Sequence, residues 1–121
     1  MRAKDALGAW GEDRARRYLR GLGWQILTSN WRLRDGELDI IAMDGPTLVF
    51  VEVKTRRGSA AGDPLEAVTP QKLRALRRLA GAWLAEQEQH YPSVRLDVIG
   101  IAVPRRGRPQ LSHVSDVGEA A

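Results

Sequence analysis

Three observations predict an α/β fold with the element order αβββαββ for this chain of 121 residues. Two stretches carry apolar side chains at helical spacing, three runs of β-forming residues lie between them, and Asp44-Gly45 marks a tight hairpin within those runs. The first helix runs from about Lys4 to Leu22, with Leu7, Gly11, Ala15, Tyr18, Leu19 and Leu22 on one face and Gly21 and Gly23 at its end. Trp24 to Arg32, carrying Trp24, Ile26, Leu27, Thr28 and Trp31, reads as the first strand. The segments Gly36–Ile41 and Val49–Lys54 read as the second and third, joined through Met43-Asp44-Gly45-Pro46-Thr47. Thr69 caps a second helix that has Pro70 at its first position. Its apolar face is Leu73, Leu76, Ala80, Trp83, Leu84 and Gln87, and its predicted end lies near Gln89. Val94 to Val103 gives a fourth strand and, after the turn from Pro104 to Pro109, Gln110 to Val114 a short fifth. Ser115 to Ala121 shows no apolar periodicity and reads as a frayed tail without a role. With no repeat, low-complexity stretch or linker, residues 1–121 read as a single domain.

Composition narrows the chemistry. Cysteine is absent and only His90 and His113 are present, which excludes disulfides, a thiolate zinc site and a histidine-rich metal site. The two histidines read as isolated, so no nucleophile-histidine triad is argued. Oxygen ligands remain, and these suit magnesium or manganese. The first ten residues have no apolar signal-like region and no run is long enough to span a membrane, so the expected location is cytoplasmic. Nineteen basic against 15 acidic residues give a net charge of +4. The arginines cluster at positions 14, 16, 17 and 20, at 32 and 34, at 56 and 57, at 74, 77 and 78, and at 105, 106 and 108. Any one cluster reads first as a solvated face, but several around an acidic pocket suit a nucleic-acid backbone, whose phosphates match the guanidinium fork.

The acids Glu37, Asp39 and Glu52, with Lys54, stand in otherwise apolar strands. An ionised carboxylate in such a setting costs several kcal/mol unless a cation compensates it, so the placement points to a metal site. A two-residue Asp44-Gly45 turn would pair Ala42 with Thr47, Asp39 with Phe50 and Glu37 with Glu52. Leu38, Ile40 and Ala42 would then share one face with Val49, Val51 and Val53, and Glu37 and Asp39 the other with Glu52 and Lys54. Glu37 opposite Glu52 is a like-charge pair that needs a metal or Lys54 nearby. The plainer alternative is a ladder of surface salt bridges, against which Phe50 and Ile41 place a covered, apolar setting on the same face. A divalent-metal nuclease is the leading reading. A nucleic-acid-binding module that does not cut and a salt-bridged interaction protein are the other two.

Asp39 followed thirteen positions later by Glu52-Val53-Lys54 resembles the PD-(D/E)xK motif of restriction-endonuclease-like nucleases, with Leu38 where the motif has proline. Gly11-Glu12, Ala15, Tyr18-Leu19, Gly23, Gly36-Glu37-Leu38-Asp39, Phe50 to Arg56 and Lys72 resemble the uncharacterised bacterial YraN family, itself similar to archaeal Holliday-junction resolvases. The likeness extends to about Val103. It implies a restriction-endonuclease-like αβββαβ core, a mixed central sheet flanked by helices, dependence on Mg2+ or Mn2+, DNA as partner with branched DNA as substrate, and a homodimer. It makes Asp39 and Glu52 metal ligands, Glu12 a further ligand or water-positioning acid, and Lys54 the catalytic lysine. Glu12 has an ordinary alternative as the partner of Arg16 one turn on. Arg32, Arg34, Arg56, Arg57 and Lys72 are the expected nucleic-acid contacts, with Gln71 and Lys72 opening a helix whose N-terminus suits a phosphate. Gly58 to Gly62 is expected to form a loop ordered by substrate, and Trp31, beside Arg32, is the tryptophan retained for base stacking.

Overall fold

The elements of the computed structural model, which describes residues 3–58, 66 and 68–117, follow the predicted order. They are α1 (Ala3–Gly21), β1 (Gln25–Leu33), β2 (Gly36–Asp44), β3 (Thr47–Arg57), α2 (Pro70–Ala85), β4 (Val94–Val103) and β5 (Gln110–Val114). The strands form one sheet in sequence order. β3 and β4 are parallel and the other neighbours antiparallel, so the sheet is mixed and α2 lies in the crossover that a parallel pair requires.

The helices cover opposite faces. Ala15 and Leu19 of α1 pack with Ile40, Ala42, Val49, Val51 and Ile99, whereas Leu73, Leu76 and Trp83 of α2 pack with Ile41, Phe50, Leu96 and Val98. With both faces covered, β3 and β4 are apolar on both sides, which explains why they read as nearly continuous apolar runs. No described helix is long and apolar enough to cross a membrane.

Three predicted details differ. The helix α2 stops at Ala85 rather than near Gln89, because the backbone N–H of Glu86 turns to Trp83 and Leu84 carbonyls and the side chain of Gln87 donates to Trp83 O. The hairpin loop is Gly45-Pro46, so Asp44 pairs with Thr47 and Ile41 with Phe50. Gly45 supplies the positive φ, 58°, at the first loop position. The two-residue shift preserves the faces from Ile40 onward. Leu38, however, joins Ile41 and Phe50 on the α2 side while Ile40 faces α1, so strict alternation fails at Asp39.

The tail is also tied down as far as it is described. Val117 is buried in the α2-side core, and the backbone N–H of Asp116 donates to Asp97 Oδ1 at 3.0 Å. Residues 118–121 lie outside the described residues. Asp97 is the buried centre of a polar network: His113 Nε2 donates to its Oδ2 at 2.7 Å and Arg95 Nε to its Oδ1 at 3.0 Å. The hydroxyl of Tyr18 meets His113 Nδ1 at 3.0 Å, so α1, β4 and β5 share one network. Burial pushes the Asp97 carboxyl up, but the hydrogen bonds from His113, Arg95 and Asp116 outweigh it and hold the group below its ordinary value. His113, read as isolated from sequence, is thus a structural member of this network.

The approach of α1 to the sheet depends on Gly11. A Cβ there would lie 1.8 Å from Thr55 Oγ1 and 2.9 Å from Thr55 Cβ, whereas one on Gly8 would meet nothing within 4 Å. Urea denaturation should show Gly11→Ala losing roughly 1–3 kcal/mol through overpacking. Gly8→Ala should gain up to about 1 kcal/mol from helix propensity. Equal effects of the two would refute the close contact.

Candidate metal centre

The β2–β3 ladder runs from Asp44↔Thr47 as far as Ile40↔Val51. Beyond it Asp39 Oδ2 accepts the Val53 backbone N–H at 2.8 Å, so a carboxylate replaces a strand carbonyl and the ladder opens. β1 contributes from the other side. Its register shifts by one residue between Ile26 and Thr28, after which Ser29 pairs with Ile40 and Trp31 with Leu38. Asn30 therefore lies abreast of Asp39. It adopts φ 54°, a left-handed conformation that asparagine tolerates better than most residues.

Into this opening α1 delivers Glu12, the residue after the glycine that lets the helix close on β3. Glu12, Glu37 and Asp39 each offer a carboxylate oxygen within 4.8 Å of the others. The Asn30 amide binds two of them, donating to Glu12 at 2.6 and 3.0 Å and to Glu37 Oε1 at 2.7 Å. Arg32 Nε lies 3.1 Å from Glu37 Oε2, across a largely exposed pair. Glu12 has thus turned into the cluster; Arg16 pairs instead with Asp13, at 3.8 Å.

Glu52 lies between Val51 and Val53, both on the α1 side, and its own side chain reaches the α2 side, where Lys72 Nζ sits 3.4 Å from its Oε1. The expectation that Glu52 shares one face with Glu37 and Asp39 is therefore corrected: β2 changes its alternation at Asp39, and Glu52 turns to Lys72 while Glu37 and Asp39 group with Glu12. Glu52 Oε2 is buried and has no hydrogen-bond partner among the described residues. An unmade hydrogen bond of this kind costs about 1–3 kcal/mol, more for a charged group.

The electrostatics match the geometry. Burial is the largest influence on Asp39, followed by the neighbouring charge of Glu52; the Val53 N–H opposes them, Glu12 and Glu37 add to them, and the carboxyl is pushed up to about 8. Burial also raises Glu52, against the lowering effects of Lys72 and Lys54. Glu12, Glu37 and Asp39, the first two held by a neutral amide, fit a divalent cation, because a cation relieves their repulsion; Glu52 lies outside that group of three but close enough for its charge to act on Asp39. Each carboxylate has more acceptor sites than Asn30, Arg32 and Lys72 occupy.

Of the other expected residues, Lys54 is exposed but close enough to favour the charged form of Glu52. Arg34, Arg56 and Arg57 are exposed, on the turn after β1 and at the end of β3. Trp31 packs against the α2-side core instead of standing free for stacking. At the N-terminus of α2, Thr69 Oγ1 accepts the Lys72 backbone N–H at 3.1 Å, so that donor is already used. In the loop expected from Gly58 to Gly62, Gly58 has φ 94° and residues 59–62 lie outside the described residues. Sequence reasoning missed Asn30 as an organiser and, although it counted Glu37 among the acids that point to a metal site, left it out of the expected ligands. The available signal was an asparagine inside a β-forming run, where that residue is disfavoured.

The chain is similar to known proteins over most of its length. Residues 11–101 match the model of the uncharacterised protein family UPF0102. The UPF0102 protein of Beutenbergia cavernae is 53% identical over 118 residues, covering 98% of this chain and 100% of that protein. Those of Mycolicibacterium vanbaalenii and Kineococcus radiotolerans are 51% and 53% identical, over 92% and 97% of both chains respectively.

A carboxyl titrating near 8 keeps its proton in the folded state while the unfolded chain loses it near 3.8, so this group makes folding progressively less favourable as pH rises between those values. Asp39→Asn retains an acceptor for Val53 N–H and removes the ionisation. In EDTA-containing buffer its melting temperature should exceed that of the parent by a margin that widens from pH 5 to pH 8, and Mg2+ should narrow the gap by stabilising the parent. A margin independent of pH would contradict the assignment.

Proposed function

We propose that this chain, which belongs to the uncharacterised protein family UPF0102, is a divalent-metal-dependent endonuclease of the PD-(D/E)xK type that hydrolyses phosphodiester bonds in DNA, with branched or recombination intermediates as its substrate. The observation that carries the reading is the gathering of Glu12, Glu37 and Asp39 at an opened strand edge, with Glu52 near enough for its charge to act on Asp39 and one of its buried carboxylate oxygens lacking a partner among the described residues. A salt-bridged structural cluster has no need of such an excess of acids, since burying unpaired carboxylates destabilises it.

Asp39 and Glu52 would hold Mg2+ or Mn2+, with Glu12 as a further ligand or water-positioning acid and Glu37 beside it. Bound there, the cation supplies charge neutralisation for the phosphate, a more acidic water and stabilisation of the leaving oxygen. Asp39 is fixed for this by the Val53 N–H, and Glu12 and Glu37 by the Asn30 amide. Lys54, exposed and close enough to Glu52 to favour its charged form, would orient water or offset charge on the phosphate. Arg32, Arg34, Arg56 and Arg57 are exposed and offer guanidinium groups to the backbone phosphates. A cytoplasmic homodimer belongs to the same proposal, because a four-way junction presents two symmetry-related strands.

A non-catalytic nucleic-acid-binding protein is the second reading: exposed Arg34, Arg56 and Arg57 offer phosphate contacts without any cutting, and the pairing of Arg32 with Glu37 and of Lys72 with Glu52 compensates two of the acids without a metal. Cleavage of labelled junction, flap, single-stranded and linear duplex DNA with Mg2+ or Mn2+ against EDTA separates the two. The nuclease reading expects metal-dependent product, loss of at least about 100-fold in rate for Asp39→Ala and Glu52→Ala, and the highest rate on branched DNA. Tight, salt-sensitive binding without product, unaffected by either substitution, would support the binding module instead.

A further inference from the structure

Two lysines lie near the acid cluster, and they are not equivalent. Lys54 follows Glu52 on β3 and is exposed. Lys72 comes from the first turn of α2 on a different part of the chain, and its Nζ sits 3.4 Å from Glu52 Oε1. The Glu52 side chain is 12% exposed and that of Lys72 45% exposed, so a half-exposed lysine meets a largely buried carboxylate. The other oxygen, Oε2, is left without any partner among the described residues. One carboxylate is thereby divided: one oxygen is pinned, the other is kept free.

We infer that Lys72 is a positioning residue for the acid cluster: its ammonium anchors Glu52 by Oε1 and so holds Oε2 buried and available to a divalent cation. The inference rests on the proposed metal centre and deepens it by assigning a second-element lysine to ligand placement instead of to nucleic-acid contact. Two features make the arrangement durable. Thr69 caps α2 through its Oγ1 on the Lys72 backbone N–H, which fixes where the side chain begins. Leu73 and Leu76 bury the adjacent face of the helix against the sheet. A buried carboxylate deprived of its cation is costly, so without Lys72 the Glu52 side chain rotates toward water and Oε2 leaves the site. Loss of a partner that orients a ligand typically lowers metal affinity by about 10–100-fold.

The test is binding of Mn2+ alone to the full chain, followed by the loss of the free-ion electron paramagnetic resonance signal at one fixed pH, beside a thermal melt of each protein. Lys72→Met should weaken Mn2+ binding at least about tenfold, and Lys72→Arg, which keeps the charge, should remain within about threefold of the parent. Arg74→Met removes the same charge from an exposed position on the same helix and should leave affinity unchanged, which separates anchoring from long-range repulsion. The inference is overturned if Lys72→Met binds Mn2+ as tightly as the parent or tighter, or if the Met and Arg variants lose equally. Glu52→Gln distinguishes the levels: normal binding by that variant removes Glu52 from the metal centre itself, whereas weakened binding there beside normal binding by Lys72→Met overturns only the role of the lysine.

Discussion

At the open end of the β2–β3 hairpin, Asp39 takes the Val53 N–H that a strand carbonyl would otherwise accept. Most features of the candidate site depend on that exchange. It satisfies a buried donor while ending the ladder, so the two strands part where their acids begin. It fixes Asp39 at the edge shared by both faces, and it accompanies the break in alternation that sends Leu38 to the α2 side. A regular hairpin would place the acids along one face; in the opened one Glu12 and Glu37 meet Asp39, while Glu52 reaches Lys72 on the α2 side and acts on Asp39 through its charge.

This convergence runs against stability. Burial and mutual repulsion raise Asp39 and Glu52 together, and one buried oxygen goes unpaired. The protein tolerates the arrangement because the surroundings are rigid: two apolar cores clamp the sheet, and Gly11 allows α1 within contact of Thr55. The neutral amide of Asn30 holds two of the carboxylates without neutralising them. The buried Asp97 network shows the contrast. There His113, Arg95 and a backbone N–H satisfy the carboxylate, and its ionised form is favoured. The same residue type is thus satisfied and ionised at Asp97 and pushed toward its neutral form at Asp39.

The fold was legible because periodicity and turn residues are strong local signals. β4 and β5 span the residues expected of them, and Thr69-Pro70 opens α2 as predicted. What was not legible arises from tertiary choices. Moving the hairpin loop from Asp44-Gly45 to Gly45-Pro46 changes the cross-strand partners without altering the hydrophobic pattern, so no pattern argument detects it. Leu38 looks like an ordinary member of the Ile40 face until the bulge in β1 and the Asp39 hydrogen bond break the alternation. For the site, Glu12 and Asp39 are brought together as expected, but Asn30 acts through a left-handed backbone that sequence does not reveal. Lys72, expected at a phosphate, is found at a carboxylate because only the packing of α2 decides which charge its side chain meets.

The most direct measurement is a crystal structure with Mn2+ present, using anomalous scattering at the manganese absorption edge. An anomalous peak is expected at the opened β2–β3 edge, bounded by Glu12, Asp39 and Glu52, with Glu52 Oε2 among the contacts. A well-ordered site without that peak at millimolar Mn2+, or with Glu52 Oε2 bonded to a protein donor instead, would contradict the central claim that these acids are gathered to hold a cation.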